Sequence, residues 1–265
     1  MYPRLSERDG LTIIAFSPSL LGIYARPISS GRYEPISLSD VMWDERVAAA
    51  LDGPMFSNCA PGTTYATSYC VDPRFAQLDQ SVGVSDPPNQ SNESKGVSVS
   101  IVDDLAIWSL GGAFDSRATV GVQMFPTLVA DGAVQTVSTT GADAERVRRV
   151  ALAGLPDGRL AFVYGTDSLA GFARRCRDAG FVWAGYTDGG GSASMGYRDP
   201  ETENVRRWGP SQQNERRVAT FLVARKPTDP VAEAAKTAGI GLAIGVGVLG
   251  ATALGLWAYS RYRNR

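Results

Sequence analysis

"GRLAFVYGTDSLAGFARRCRDAGFVWAGYTDGGGSASM", Gly158 to Met195, is the stretch whose reading sets the fold. Its first third is β-branched and aromatic, as a buried strand is. Asp167 or Ser168 then opens a helix, Leu169, Phe172, Ala173 and Cys176 make one apolar stripe, and Gly180 ends it. "FVWAGYT" reads as a second strand, which delivers the chain to Asp188 and to three glycines, Gly189, Gly190 and Gly191, followed by Ser192. A strand end is a rigid platform. Glycine lets the backbone take positive φ and approach a ligand with no side chain between them. Successive N–H groups in such a bend can hold an anion, with Asp188 at the lip and the Ser192 and Ser194 hydroxyls beside it.

Outward from this stretch, hairpins dominate. "LTIIAF", "GIYARPI", "VSVSIVD", "LAIWSL", "ATVGVQMF" and "RRVATFLVARKP" read as strands. "TLVADGAV" and "RRVALAGLPDGRLAFVYG" each read as two strands joined by a turn containing Asp-Gly. "SLSDVMWDERVAAAL", Ser37 to Leu51, reads as a second helix: a Ser opens it, acids fill its first turns, and Trp43, Val47, Ala50 and Leu51 fall near one face. Ser81 to Gly96 is polar, carries two prolines, and reads as a surface loop or flap; its sequons at Asn89 and Asn92 are read as chance. Hairpins outnumbering strand–helix–strand units predict an α+β body, a mixed but mostly antiparallel twisted sheet with a few flanking helices.

The composition narrows the chemistry. The 265 residues carry a formal charge of −1, so neither a basic nucleic-acid surface nor acidic disorder is indicated. There is no histidine, which removes Ser-His and Cys-His nucleophile pairs and His-ligated metals. Carboxylate-driven hydrolysis survives that filter. Cys59, Cys70 and Cys176 form no CxxC; Cys59 and Cys70 are either bridged or two free thiols, and Cys176 reads as a buried small hydrophobe.

The C-terminal end reads differently. No residue from Thr237 to Ser260 is charged, and about 24 residues suffice to cross a bilayer core of roughly 30 Å as a helix. Trp257 and Tyr259 sit at its end, and Arg261, Arg263 and Arg265 follow, which predicts a single-pass anchor with its basic tail on the cytoplasmic or equivalent side of a cell, host or virion membrane. Gly241 and Gly245, four apart, would allow self-association of such spans. The expected organisation is a body over 1–226, a linker over 227–236, a span over 237–260 and a tail over 261–265.

The Gly158–Met195 segment resembles the signature of the phosphodiester glycosidase family, whose pattern ends a strand in Asp-Gly-Gly-Gly-Ser-Ser. Four other stretches fit the family in order. "LSDVMWDERVAAALDGPMF" resembles the lead into its Asn-Gly-Gly-Phe-Phe, with Asp52-Gly53-Pro54-Met55-Phe56 at that place here. "VGVQMFPTLVADGAV" resembles its Pro-x-Leu-Val-x-x-Gly strand and turn, and "RRVALAGLPDGR" its Arg-Thr-Ala-Ile-Gly strand, placing Arg149 on the family's arginine. "ERRVATFLVA" resembles its closing strand, with Arg216 on an arginine; Ala193 stands where the second Ser of the glycine motif would be. The resemblance spans Ser37 to Ala224.

The resemblance implies cleavage between a sugar's anomeric carbon and a phosphodiester oxygen in a glycan or wall polymer. Phosphate is a good leaving group, so the reaction asks for a carboxylate near the anomeric carbon and for cationic donors on the phosphate. It assigns Asp188 as the carboxylate, Asp52 as a second acid/base group, and Arg149 as a phosphate ligand. Gly189, Gly190, Gly191, Ser192 and Arg216 would complete the substrate cradle. No cofactor or metal is required, although a hard cation such as Ca²⁺ suits two aspartates. The competing expectation is a non-catalytic, membrane-associated structural protein, or one binding a glycan or receptor, on the same scaffold.

Overall fold

The computed structural model describes residues 1–29, 32–53, 56–60, 63–66, 70–71, 96–110, 115 and 117–227, and only the backbone of 27–29, 32–33, 56–60, 63–66 and 70–71. Within Met1–Lys226 the strands form four sheets. A seven-stranded sheet runs in the order Arg4–Arg8, Leu11–Phe16, Leu160–Asp167, Val147–Gly154, Trp183–Gly189, Thr127–Ala130 and Ala133–Val134. A five-stranded sheet runs Val205–Trp208, Met195–Arg198, Val47–Asp52, Thr220–Arg225 and Leu21–Ala25. A third sheet orders Leu105–Leu110, Val97–Val102, Val120–Met124 and Cys70–Val71, and a fourth Pro27–Ser29, Arg32–Tyr33, Thr63–Ala66 and Phe56–Ala60.

Turn chemistry explains the antiparallel order. Asp9-Gly10, Asp103-Asp104 and Asp131-Gly132 each take positive φ at both positions and join strands in direct two-residue register. Such turns match the natural twist of the strands they connect.

Side-chain alternation then builds three apolar clusters. Along Val147–Gly154, Val150 and Leu152 face a central core shared with Leu51 and Leu222 of the five-stranded sheet and Val99 and Val122 of the third. Ala151 and Ala153 face the other way, under the helix Leu169–Asp178, against Phe172, Ala173 and Cys176. Period-2 alternation is what sends neighbours to opposite faces. Ser168 caps this helix by accepting the Gly171 N–H at 3.1 Å, and Gly180 at φ 87° closes it. The Cys176 thiol is buried, which pushes its pKa up, in keeping with a packing role. On the far side of the five-stranded sheet, Phe221 and Val223 pack against Leu38, Val41 and Met42.

Two expectations are corrected. The body is not α+β with a mixed sheet: every strand pairing among the described residues is antiparallel, and the described α-helices are only Leu38–Met42 and Leu169–Asp178. The helix expected over Ser37–Leu51 stops at Met42, and Val47–Asp52 is a strand. Trp43, grouped with Val47, Ala50 and Leu51 near one face of that helix, is 88% exposed, whereas those three are buried. The strand is buried along its whole length, so it presents a continuous apolar run instead of an alternating one. Finally, no described helix is long and apolar enough to cross a membrane, and the span expected over 237–260, with Gly241 and Gly245, lies outside the described residues. The Ser81–Gly96 loop, except Gly96, and the side chains of Cys59 and Cys70 also lie outside them.

Candidate active site

Asp188 sits at the end of Trp183–Gly189, where the pairing with Val147–Gly154 slips: Ala151 faces Tyr186, but Val150 faces Asp188. The extra residue is a β-bulge, a device that re-aims side chains. Without it, Tyr186 and Asp188, two apart, would share one face. With it, Tyr186 packs under the helix, while Asp188 takes the face of Val150, toward the five-stranded sheet. Asp188 is largely buried. Its Oδ1 accepts the Gly189 N–H at 2.6 Å, and its Oδ2 is buried with no hydrogen-bond partner among the described residues. Burial pushes its pKa up, and the Ser192 hydroxyl, the Gly189 N–H and the Arg216 charge pull it part of the way back.

Asp52 ends the Val47–Asp52 strand and is fully buried. The Ser194 N–H donates to its Oδ2 at 3.2 Å and the Ser194 hydroxyl to its Oδ1 at 2.9 Å. Burial, then the neighbouring Asp188 charge, hold its carboxyl well above the usual carboxylate range. The next residue must be glycine: a Cβ at Gly53 would stand 2.2 Å from the Thr220 hydroxyl.

Arg149 lies one step along, opposite Gly189, on the helix side of the sheet. It too is buried, but its donors are committed. Nη1 donates to the Tyr186 hydroxyl at 2.9 Å and Nη2 to the Ala142 carbonyl at 2.8 Å, while Nε points at the Asp167 carbonyl at 3.4 Å. The Asp143 carboxylate stands 3.7 Å from Nη1. Arg149 thus ties the 142–145 segment to the sheet. Burial pushes the Tyr186 hydroxyl up to about 12. A cavity of about 850 Å³ opens here, lined by Phe125, Tyr186, Val137, Arg149, Asp188 and Gly190 among others.

The glycine bend divides its duties. A Cβ at Gly189 would lie 1.9 Å from the Tyr186 hydroxyl; Gly190 holds φ 70°; at Gly191 a Cβ would meet nothing within 4 Å. Two of the three amides of the expected anion nest are already used, Gly189 N–H by Asp188 and Gly190 N–H by the Arg148 carbonyl at 2.8 Å. Ser192 is buried and its hydroxyl approaches the Gly189 carbonyl at 3.4 Å.

Arg216 is exposed, and it is the cation whose charge favours ionised Asp188. Its neighbours pin it in place. Glu215 accepts from the Leu38 N–H at the start of the short helix and from Arg207 at 2.7 Å, while Arg217 bonds Asp40 at 2.8 Å and the Pro35 carbonyl at 2.9 Å.

Of the residues expected from the sequence, Asp188, Asp52, Ser192 and Arg216 gather around one carboxylate, whereas Arg149 serves the other face of the sheet. Ser194 as the partner of Asp52, Tyr186 as the partner of Arg149, and Glu215 as the anchor beside Arg216 were not assigned these roles. Ser194 carried a signal, a hydroxyl beside the glycine motif, but as a donor to a ligand and not to Asp52.

One solved structure agrees with this architecture. The catalytic domain of zebrafish N-acetylglucosamine-1-phosphodiester alpha-N-acetylglucosaminidase, auto-inhibited by pro-peptide, superposes with a TM-score of 0.57 at 14% identity, over 85% of this chain and 82% of that one. A hypothetical protein from Synechocystis covers 85% of this chain at 13% identity and a TM-score of 0.49, and this chain spans 61% of its length. No curated protein matches. At 14% identity the likeness to the zebrafish domain concerns the fold alone. The family model for phosphodiester glycosidases matches residues 81–225, which holds Asp188, Arg149 and Arg216 but begins after Asp52. With more than half of its length matched, the chain belongs to the phosphodiester glycosidase family.

Proposed function

We propose that this chain hydrolyses the bond between a sugar's anomeric carbon and a phosphodiester oxygen, with Asp188 as the catalytic carboxylate. The observation that carries this reading is that Asp188, a residue lining a large cavity, has a buried Oδ2 with no hydrogen-bond partner among the described residues. A buried polar atom left without a partner costs about 1–3 kcal/mol, so it calls for a use. Asp188 would face the anomeric carbon and offset the positive charge that builds there as the C–O bond lengthens. The bonding electrons leave on the phosphate oxygen, water adds to the anomeric carbon, and its proton passes to Asp188 or solvent.

Arg216 would take the departing phosphate. It is exposed and within electrostatic reach of Asp188, on the side of the sheet that Asp188 faces. Gly191 leaves open space where the substrate would pass. Among the described residues no group of three or more His, Cys, Asp or Glu side chains gathers, and the proposed reaction uses Asp188 without a metal.

Hydrolysis of a chromogenic sugar phosphodiester tests the assignment. Asp188→Asn should lower turnover at least about 100-fold with the fold intact. Unchanged turnover by a folded variant would remove Asp188 from the reaction.

A further inference from the structure

Two carboxyls with no basic side chain among the described residues bonded to either are an expensive thing to bury together. Asp52 has no exposed surface, and its hydrogen bonds all come from Ser194. The charged groups that bear on it are negative: Asp188 across the gap from the seven-stranded sheet, and Glu215 from the segment ahead of the last strand. Glu215 is itself neutralised by Arg207, and Arg216 acts on Asp188. The strand Thr220–Arg225 presents Thr220 beside Gly53, a neutral hydroxyl.

We propose that Asp52 is held as a neutral carboxylic acid, a positioning residue that fixes the Ser192–Ser194 bend and leaves Asp188 the one anion of the pair. Its Oδ2 accepts the Ser194 N–H, which leaves Oδ1 to carry the proton. In the neutral acid the 2.9 Å hydrogen bond to the Ser194 hydroxyl runs from Asp52 to Ser194, and the serine's own proton is released for another acceptor. An ionised Asp52 would place a second negative charge beside Asp188 and push the catalytic carboxyl toward its protonated, inactive form. The raised pKa of Asp52 agrees with this placement. The consequence for turnover rests on the proposed reaction; the protonation state itself does not.

Thermal unfolding of the whole chain and of Asp52→Asn across pH gives the test. A neutral acid in the folded state ionises on unfolding above about pH 4, so wild-type stability falls as pH rises while the amide variant does not share that loss. The expected result is a Tm gap between Asp52→Asn and wild type that widens steadily from about pH 4 to about pH 7. A gap that stays constant over that range means that Asp52 is ionised when folded, and overturns the proposal. Asp52→Ala should lose the folding that Asp52→Asn retains; equal loss of stability in both also counts against it. Should Asp52→Asn fail to fold, the infrared band of a protonated carboxyl decides: seen at neutral pH in Asp188→Asn it upholds the proposal, absent it ends it. If no variant or wild type turns over any sugar phosphodiester, the reaction assignment falls while the stability gap still reports on Asp52.

Discussion

Val150 pairs with Asp188 and Arg149 with Gly189, so Asp188 and Arg149 border one cavity from opposite faces of the same sheet. Residues paired across strands share a face. Asp188 therefore joins the side that meets Asp52, and Arg149 the side that carries the helix. The cation that serves Asp188 is Arg216, from the segment leading into the closing strand of the other sheet.

Asp188→Asn should be inactive yet more stable at neutral pH. The folded-state pKa of Asp188 is raised, so the folded chain binds its proton more tightly than the unfolded chain does. Stability is then lost as pH climbs from the unfolded pKa of about 4 to the folded one. An amide escapes that loss. Tm at neutral pH checks it, and a lower Tm for the variant would show that the native site favours the ionised form.

Arg216→Gln should shift the acid limb of the kcat/KM profile to higher pH. In the proposed reaction Asp188 works as the carboxylate, and the Arg216 charge pulls its pKa down. Without that charge Asp188 stays protonated to higher pH, so activity disappears earlier on acidification. A limb that stays where it was would detach Arg216 from the catalytic carboxylate.

Arg149→Leu should act on stability first. It strands the Ala142 and Asp167 carbonyls and the Tyr186 hydroxyl in a buried setting, for a loss of about 3 kcal/mol. Denaturant unfolding measures this. Unchanged stability together with a large rise in KM would return Arg149 to the role of phosphate ligand.

The three glycines should separate in one experiment. Gly189→Ala meets the Tyr186 hydroxyl and Gly190→Ala is strained by its φ of 70°, so each should cost about 1–2 kcal/mol. Gly191→Ala has open space and no positive φ, so stability should hold within about 0.5 kcal/mol while KM rises. If Gly191→Ala changes neither, no substrate passes there.

What the sequence disclosed, and what it hid, follows from local against non-local causes. The helix at Leu169–Asp178, its Ser168 cap, the Gly180 stop and the strand into Asp188 are written in neighbouring residues and stand as read. The segment Ser37–Leu51 misleads because Val47–Asp52 is covered on both faces, and a doubly buried strand has no alternation to distinguish it from a helix. The acid-rich turn after Met42 adds to the helical look, and only the exposed Trp43 betrays it in the folded chain. The grouping of Asp52, Asp188 and Arg216 was expected from motif order, but the separation of Arg149 was not. It depends on one bulge near Thr187, a pairing slip that leaves no mark in the spacing of residues 186–189.

The direct measurement of the central claim is the fate of solvent oxygen. Hydrolysis of a sugar phosphodiester in oxygen-18 water should place the label on the anomeric hydroxyl of the released sugar, with none in the phosphate, because the reaction at Asp188 breaks the bond on the carbon side. Label found in the phosphate would mean attack at phosphorus, and the account of Asp188 as a glycosidase carboxylate would be wrong.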